Sequence, residues 1–140
     1  MIAALVALAL AAPQVAPATP AAPPPVSTPP TAPVPATLTR VVLTTDAGPV
    51  TIGVDTRAAP ITAANFLKYV DGKKLDGVSF YRAVKVADGY GIVQFGTRND
   101  AKRTLPPIRF EPTTQTGLSH TDGTISMAMA APNTATGDFF

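Results

Sequence analysis

The chain has 140 residues, 16 prolines, no cysteine and a formal net charge of +2. That length sets one domain. The lack of cysteine excludes disulfides, thiol catalysis, thiolate metal sites and a lipid-modified N-terminal Cys. A small positive charge scattered along the chain gives no electrostatic basis for binding nucleic acid or an anionic membrane.

Composition divides the chain. All 11 Lys/Arg and all 9 Asp/Glu lie at or after Arg40, and ten of the prolines fall between Pro13 and Pro35. Residues 1–16 read as a secretory signal peptide. Ile2–Ala12 is an unbroken apolar run, too short for a bilayer span of about 20 residues but suited to a signal-peptide core, with Ala11, Ala12 or Ala16 as cleavage sites. No Lys or Arg precedes the run, which departs from the usual pattern, and the alternative is a low-complexity leader with no targeting role. Residues 17–37 read as an uncharged Ala/Pro-rich linker, a composition that predicts disorder with a bias to polyproline II. Residues 38–140 carry mixed charge and enough apolar side chains for a modest core.

In the third segment the elements follow in order. Val41 and Leu43 alternate with polar or outward positions, Asp46-Ala47-Gly48 is a turn signal, and Val50, Ile52 and Val54 alternate again, which predicts a β-hairpin. Pro60–Val70 has helical spacing, with Pro60 at the first helical position and Gly72 as a left-handed cap. Strands are predicted over Val78–Val84 and Gly91–Gly96, with Ala87–Gly91 as the turn cluster between them. Arg98–Pro107 reads as loop. Thr124–Ala130 is predicted as a strand with Ile125, Met127 and Met129 on one face. His120 lies in a polar turn without carboxylate or Cys partners, and Asp88, Asp100 and Glu111 are scattered loop acids that form no metal constellation. The predicted class is mainly β: an antiparallel barrel, closed or nearly so, capped by helix.

Four pieces together resemble the cyclophilin-type peptidyl-prolyl isomerases. They are the opening hairpin, the helix with Pro60, Thr62, Asn65 and Phe66, the Phe80-Tyr81-Arg82 strand, and the closing Gly123-Thr-Ile-Ser-Met-Ala-Met-Ala-Ala-Pro-Asn-Thr-Ala-Thr-Gly-Asp-Phe-Phe140. The resemblance runs from about Thr39 to Phe140. It implies a cyclophilin-like antiparallel β-barrel capped by helix, incomplete at the C-terminus, because a whole domain of this family adds further strands and a second helix.

The resemblance also implies the chemistry. The reaction is rotation about an X-Pro bond in proline-containing polypeptides. No bond breaks, so no cofactor, metal or nucleophile is needed. Arg82 aligns with the catalytic arginine, whose guanidinium stays charged and offers a rigid fork of donors to the proline nitrogen. Gln94 aligns with the glutamine that holds the substrate carbonyl. Phe80, Ile92, Ala128, Met129, Asp138 and Phe140 complete the substrate-binding set, with Phe140 at the base of the proline pocket. This chain departs from the family in several places. Ile92 stands for a pocket methionine, Tyr90 is the nearest aromatic to a missing phenylalanine, and Phe95 interrupts a Gln-Gly-Gly run. Met129 replaces a frequent asparagine and Asp138 a frequent glutamine. Asp138 either pairs with Arg82 and positions it or competes with the proline nitrogen for it. The expected protein is an exported, periplasmic or secreted, monomeric isomerase with no membrane span once its signal is cleaved and no nucleic-acid partner. The alternative is a catalytically weak proline-peptide-binding or scaffold module.

Overall fold

The computed structural model describes residues 37–140. The predicted signal peptide and nearly all of the Ala/Pro-rich linker lie outside the described residues. The order is β1 (Thr39–Thr45), β2 (Gly48–Val54), α1 (Pro60–Asp71), β3 (Phe80–Ala87), β4 (Tyr90–Gly96), α2 (Thr113–Thr116) and β5 (Asp138–Phe139). The fold is mainly β and every strand pairing is antiparallel. β1 and β2 form one sheet, and β3, β4 and β5 form a second in that order. Among the described residues no hydrogen-bonded ladder joins the two sheets.

Alternation dictates the first hairpin. Val41 lies opposite Ile52 and Thr39 opposite Val54. Val41, Ile52 and Val54 are buried, whereas Val50 is exposed near the turn. The α1 helix starts at Pro60, whose missing N–H costs nothing there. Its next free donors, the N–H groups of Ile61 and Thr62, bond to the two carboxylate oxygens of Glu111 at 3.2 and 2.9 Å. Glu111 is therefore a cap from 50 residues away rather than a free loop acid.

The far end of α1 corrects one expectation. Gly72 has φ −79°, and the left-handed residue is Lys73 at φ 52°. The N–H of Lys74 bonds to Tyr69 O at 2.9 Å and that of Lys73 to Val70 O at 3.0 Å. This is a Schellman closure with the helix running one residue further than the glycine suggests. Gly72 is small for another reason: a Cβ there would stand 2.9 Å from Lys68 O.

Three strand boundaries also move. β3 begins at Phe80 rather than Val78 and runs on to Ala87, and the turn contracts to Asp88-Gly89, with Gly89 at φ 74°. A further change is larger. Thr124–Ala130 is not a continuous strand; it meets β5 through one bridge, Met127 to Phe139, and through flanking backbone bonds. β5 spans two residues, so the ladder it can template is short.

One core joins all these pieces. Val41, Ile52 and Val54 come from the first hairpin, Ala63, Phe66 and Tyr69 from α1, and Phe95 and Phe139 from the second sheet. Phe139 sits at the centre, edge-on to Phe66 at 5.1 Å and to Tyr69 at 6.0 Å. Burial of each such side chain stabilises the fold by roughly 1.5–3 kcal/mol. Asn65 is buried too, and its amide donates to Thr136 O at 2.9 Å, tying α1 to the segment before β5.

Candidate functional site

A bulge sets the site. Phe80 lies opposite Phe95, yet Arg82 lies opposite Gln94, so β3 carries one extra residue around Tyr81. Regular alternation would put Phe80 and Arg82 on one face. The extra residue turns Arg82 to the face that Gln94 occupies, which is how a bulge re-aims a side chain. Arg82 Nη1 then donates to Gln94 Oε1 at 3.3 Å. The sheet thereby has two distinct faces. Phe95 and Phe139 lie on the inner face, and Phe80 leans on Phe95 with ring centroids 5.2 Å apart. Tyr81, Arg82, Gln94 and Asp138 lie on the outer one.

Asp138 takes neither of the two roles the sequence leaves open. One oxygen, Oδ1, accepts from the Tyr81 hydroxyl at 3.0 Å and from the Arg98 backbone N–H at 2.9 Å. The Arg98 guanidinium lies over the Tyr81 ring, 5.1 Å from its centroid, a cation–π contact that closes the group. Arg98 has φ 51°, and that left-handed turn aims its N–H at the carboxylate. Partial burial and then the Asp138 carboxylate push the Tyr81 phenol above its ordinary range. Arg82 is left to Gln94, and it is exposed to solvent on its open side.

The closing segment continues the outer face. Ser126 and Phe140 exchange backbone bonds at 2.8 and 2.9 Å, and Ala128 N–H donates to Asp138 O at 2.8 Å. Ser126 and Ala128 thus stand beside Phe140 and Asp138, while Ile125 and Met127 pack against the core. Met129, expected to share that inner face, is exposed instead, because the pairing has ended before it. The Ala128 N–H is already engaged within the chain. The N–H and C=O of Met129 have no hydrogen-bond partner among the described residues, so of the two only Met129 keeps its N–H free there. Ile92 shares the Gln94 face two residues along β4, half-buried and opposite Val84.

Phe95 does not obstruct this face. It is buried, 5.7 Å from Phe139, so the bulky replacement in the Gln94-Phe95-Gly96 run points into the core. Gly96 supplies what freedom the run needs, at φ 140°. A shallow apolar depression lies further out on the hairpin, between Val84, Tyr90, Ile92 and Val93, and it does not include Arg82, Gln94 or Phe140. Tyr90 belongs to that depression and not to the Arg82 group.

The sequence alone gives no site role to Tyr81, Arg98, Glu111 or the His120–Ser126 pair. Tyr81 carries a motif signal, because it sits inside Phe80-Tyr81-Arg82. The others have no local signal, since their partners are 6 to 50 residues distant. Among the described residues no group of three or more His, Cys, Asp or Glu could hold a metal ion, and no helix is long and apolar enough to cross a membrane.

Comparison with known proteins agrees with the four-piece resemblance. A family model described as cyclophilin type peptidyl-prolyl cis-trans isomerase/CLD matches residues 40–140. The chain is similar to "Peptidyl-prolyl cis-trans isomerase A" of Dickeya dadantii (strain 3937), 36% identical over 107 residues, covering 74% of this chain and 54% of that protein. It is also similar to "Peptidyl-prolyl cis-trans isomerase" of Acinetobacter baylyi (strain ATCC 33305 / BD413 / ADP1), 35% identical, covering 73% and 53%. A third relative, "Peptidyl-prolyl cis-trans isomerase cyp18" of Streptomyces antibioticus, is 34% identical, covering 74% and 61%. The chain therefore spans little more than half the length of these curated relatives. No solved structure matches it.

Proposed function

The chain belongs to the cyclophilin-type peptidyl-prolyl cis-trans isomerase family, and from that premise we propose that this protein accelerates rotation about X-Pro bonds in proline-containing polypeptides. The observation that carries the reading is the Arg82–Gln94 pair: a free-sided guanidinium steadied at 3.3 Å by an amide on the adjoining strand.

The barrier to be lowered is the resonance of the C–N bond, about 20 kcal/mol, which makes the uncatalysed exchange take tens of seconds. In the twisted state the proline nitrogen becomes pyramidal and regains a lone pair. A donor aimed at that lone pair stabilises the twisted state and has no comparable partner in the planar amide. Such an interaction lowers the barrier rather than merely tightening binding. In this reading Arg82 is that donor. Gln94 orients it and holds the substrate carbonyl through its own amide. The free Met129 backbone pairs with the substrate chain, Ala128 lines the face beside it, and Ile92 and Phe140 offer apolar surface to the proline ring. Phe80 supports the site from the far side of the bulge through Phe95.

The apolar run Ile2–Ala12 supports export, with the Ala/Pro-rich stretch as a spacer. The protein then works as a monomer outside the cytoplasm on flexible, proline-bearing clients. A protease-coupled proline-tetrapeptide assay of the protein beside Arg82→Ala tests the reading. The expected result is acceleration by the wild type and a loss of about a hundredfold or more in the variant, the scale for removing one donor to a developing charge. Equal rates for the two proteins would sink the Arg82 mechanism. Peptide binding without acceleration would leave a scaffold module instead.

A further inference from the structure

His120 makes two contacts that converge on one residue. Its Nε2 lies 2.9 Å from Ser126 Oγ. Its ring is stacked on Phe140, with centroids 6.4 Å apart and planes inclined by 21°. Ser126 is in turn locked to Phe140 by both backbone bonds, Ser126 N–H to Phe140 O at 2.8 Å and Phe140 N–H to Ser126 O at 2.9 Å. The three residues form a closed triangle. Ser126 fixes the Phe140 backbone, His120 holds one face of the Phe140 ring, and the Ser126–His120 bond fixes the imidazole.

We infer that His120 is a positioning residue for the proline pocket, setting the orientation of the Phe140 ring on which the substrate ring rests. The inference rests on the isomerase reading above, because it takes Phe140 as pocket surface. Three points carry it. Phe140 is half-buried and packs its backbone, not its ring, into the ladder, so the ladder alone leaves the ring free to turn. A phenylalanine side chain turns about two single bonds, and a flat neighbour restricts both by occupying one side of the swept volume. An offset, nearly parallel stack is also the arrangement that the quadrupoles of two flat rings favour. Imidazole differs from a purely apolar neighbour in having a polar edge that the Ser126 hydroxyl can hold. The hydroxyl can both donate and accept, so it serves either tautomer of the ring. His120 itself does not reach the Arg82–Gln94 pair and takes no part in the rotation.

The test is a set of three variants in the whole protein, read in two independent ways. Ring-labelled phenylalanine NMR reports the Phe140 environment, and proline-tetrapeptide kinetics separate KM from kcat. His120→Ala removes both contacts, His120→Phe keeps the stack without the hydrogen bond, and Ser126→Ala removes the bond without the stack. Loss of an aromatic stack predicts a rise in KM of about threefold to tenfold in His120→Ala. The kcat stays near the wild-type value and the Phe140 ring resonances are displaced. His120→Phe restores most of the KM, and Ser126→Ala falls between. Unchanged Phe140 resonances and unchanged KM in His120→Ala would overturn the inference, as would a loss confined to kcat. Arg82→Ala in the same assay keeps the two readings apart. If it matches the wild type, the Arg82 mechanism fails, and if neither protein accelerates the peptide, the isomerase reading fails; in both cases the NMR arm still decides whether His120 orients Phe140.

Discussion

Asp138 holds the Tyr81 hydroxyl at 3.0 Å and not the adjacent Arg82. The distinction follows from the bulge in β3, which puts Tyr81 and Arg82 on the same face while giving them different partners. Tyr81 reaches across to β5 and Arg82 stops at β4. A carboxylate at this position is therefore compatible with a free guanidinium.

Replacement of Asp138 by Asn separates structure from catalysis. The amide oxygen can still accept from Tyr81 and Arg98, but the charge is gone. A nearby charge that makes no contact with Arg82 is worth well under ~1 kcal/mol at a solvated site, so kcat/KM should stay within about fivefold of wild type. A rise beyond that in the proline-tetrapeptide assay would show that the carboxylate does compete for Arg82. Asp138→Ala removes both bonds at once, and its urea midpoint should report a loss of about 2 kcal/mol, the scale for hydrogen bonds to a charged acceptor.

Local pattern was enough to find the first hairpin, α1 and the β3–β4 hairpin. Burial repeats every two residues in the first hairpin, as at Val41, Ile52 and Val54, and every three to four in α1, as at Phe66 and Tyr69, while bulged β3 keeps no two-residue period. It was not enough for Thr124–Ala130. Alternation there is genuine, but a strand also needs a partner of equal length, and β5 supplies two residues. The same limit hides the site's supports. Glu111 caps Ile61 and Thr62, and Asp138 receives Arg98 from 40 residues away. Nothing in the spacing of either acid announces its partner. Arg82 and Gln94 were legible as motif positions, whereas their apposition depends on a bulge that no periodicity reveals.

Glu111 gives a prediction on the helix. Its two oxygens satisfy two of the N–H groups left open at the start of α1, and its charge faces the positive end of the helix dipole. Glu111→Ala should destabilise the protein by about 1–2 kcal/mol, while Glu111→Gln should recover part of that by keeping one acceptor. Chemical denaturation of both variants at low and high salt checks the assignment. A loss of equal size at the two salt concentrations would argue against the charge contribution.

Gly137 is set by the aromatic above it. A Cβ at this position would stand 2.6 Å from two ring carbons of Tyr69 and 2.7 Å from its hydroxyl. Tyr69 cannot retreat, because it is fully buried and its hydroxyl accepts the Leu105 N–H at 2.7 Å. Gly137→Ala should therefore cost about 2–4 kcal/mol, in the range of an overpacked core. Gly117→Ala is the matched comparison. Its φ is 71° but nothing lies within 4 Å of the added carbon, so only backbone strain of about 1 kcal/mol applies. Similar thermal shifts in the two variants would contradict the steric account.

Tyr69 also sets how the fold responds to alkali. Burial pushes its phenol above the ordinary value of 10.0, the Leu105 N–H pulls it part of the way back, and the Asp138 charge raises it further. Tyr81 is shifted in the same direction. A phenol whose pKa is raised on folding holds its proton longer in the native state than in the unfolded chain. As pH passes about 10 the unfolded chain binds fewer protons than the folded one, and the slope of stability with pH turns negative. The contribution of these two groups is thus complete below about pH 10 and is lost as pH rises through their folded values. Urea midpoints taken between about pH 8 and about pH 11 should be level at first and then fall. Tyr69→Phe lowers the whole curve, because it strands the Leu105 N–H at a cost of about 1–3 kcal/mol, and it also makes the alkaline fall shallower by removing one titrating group. A variant whose curve was displaced but kept the same alkaline slope would show that Tyr69 is not among the groups that titrate with unfolding.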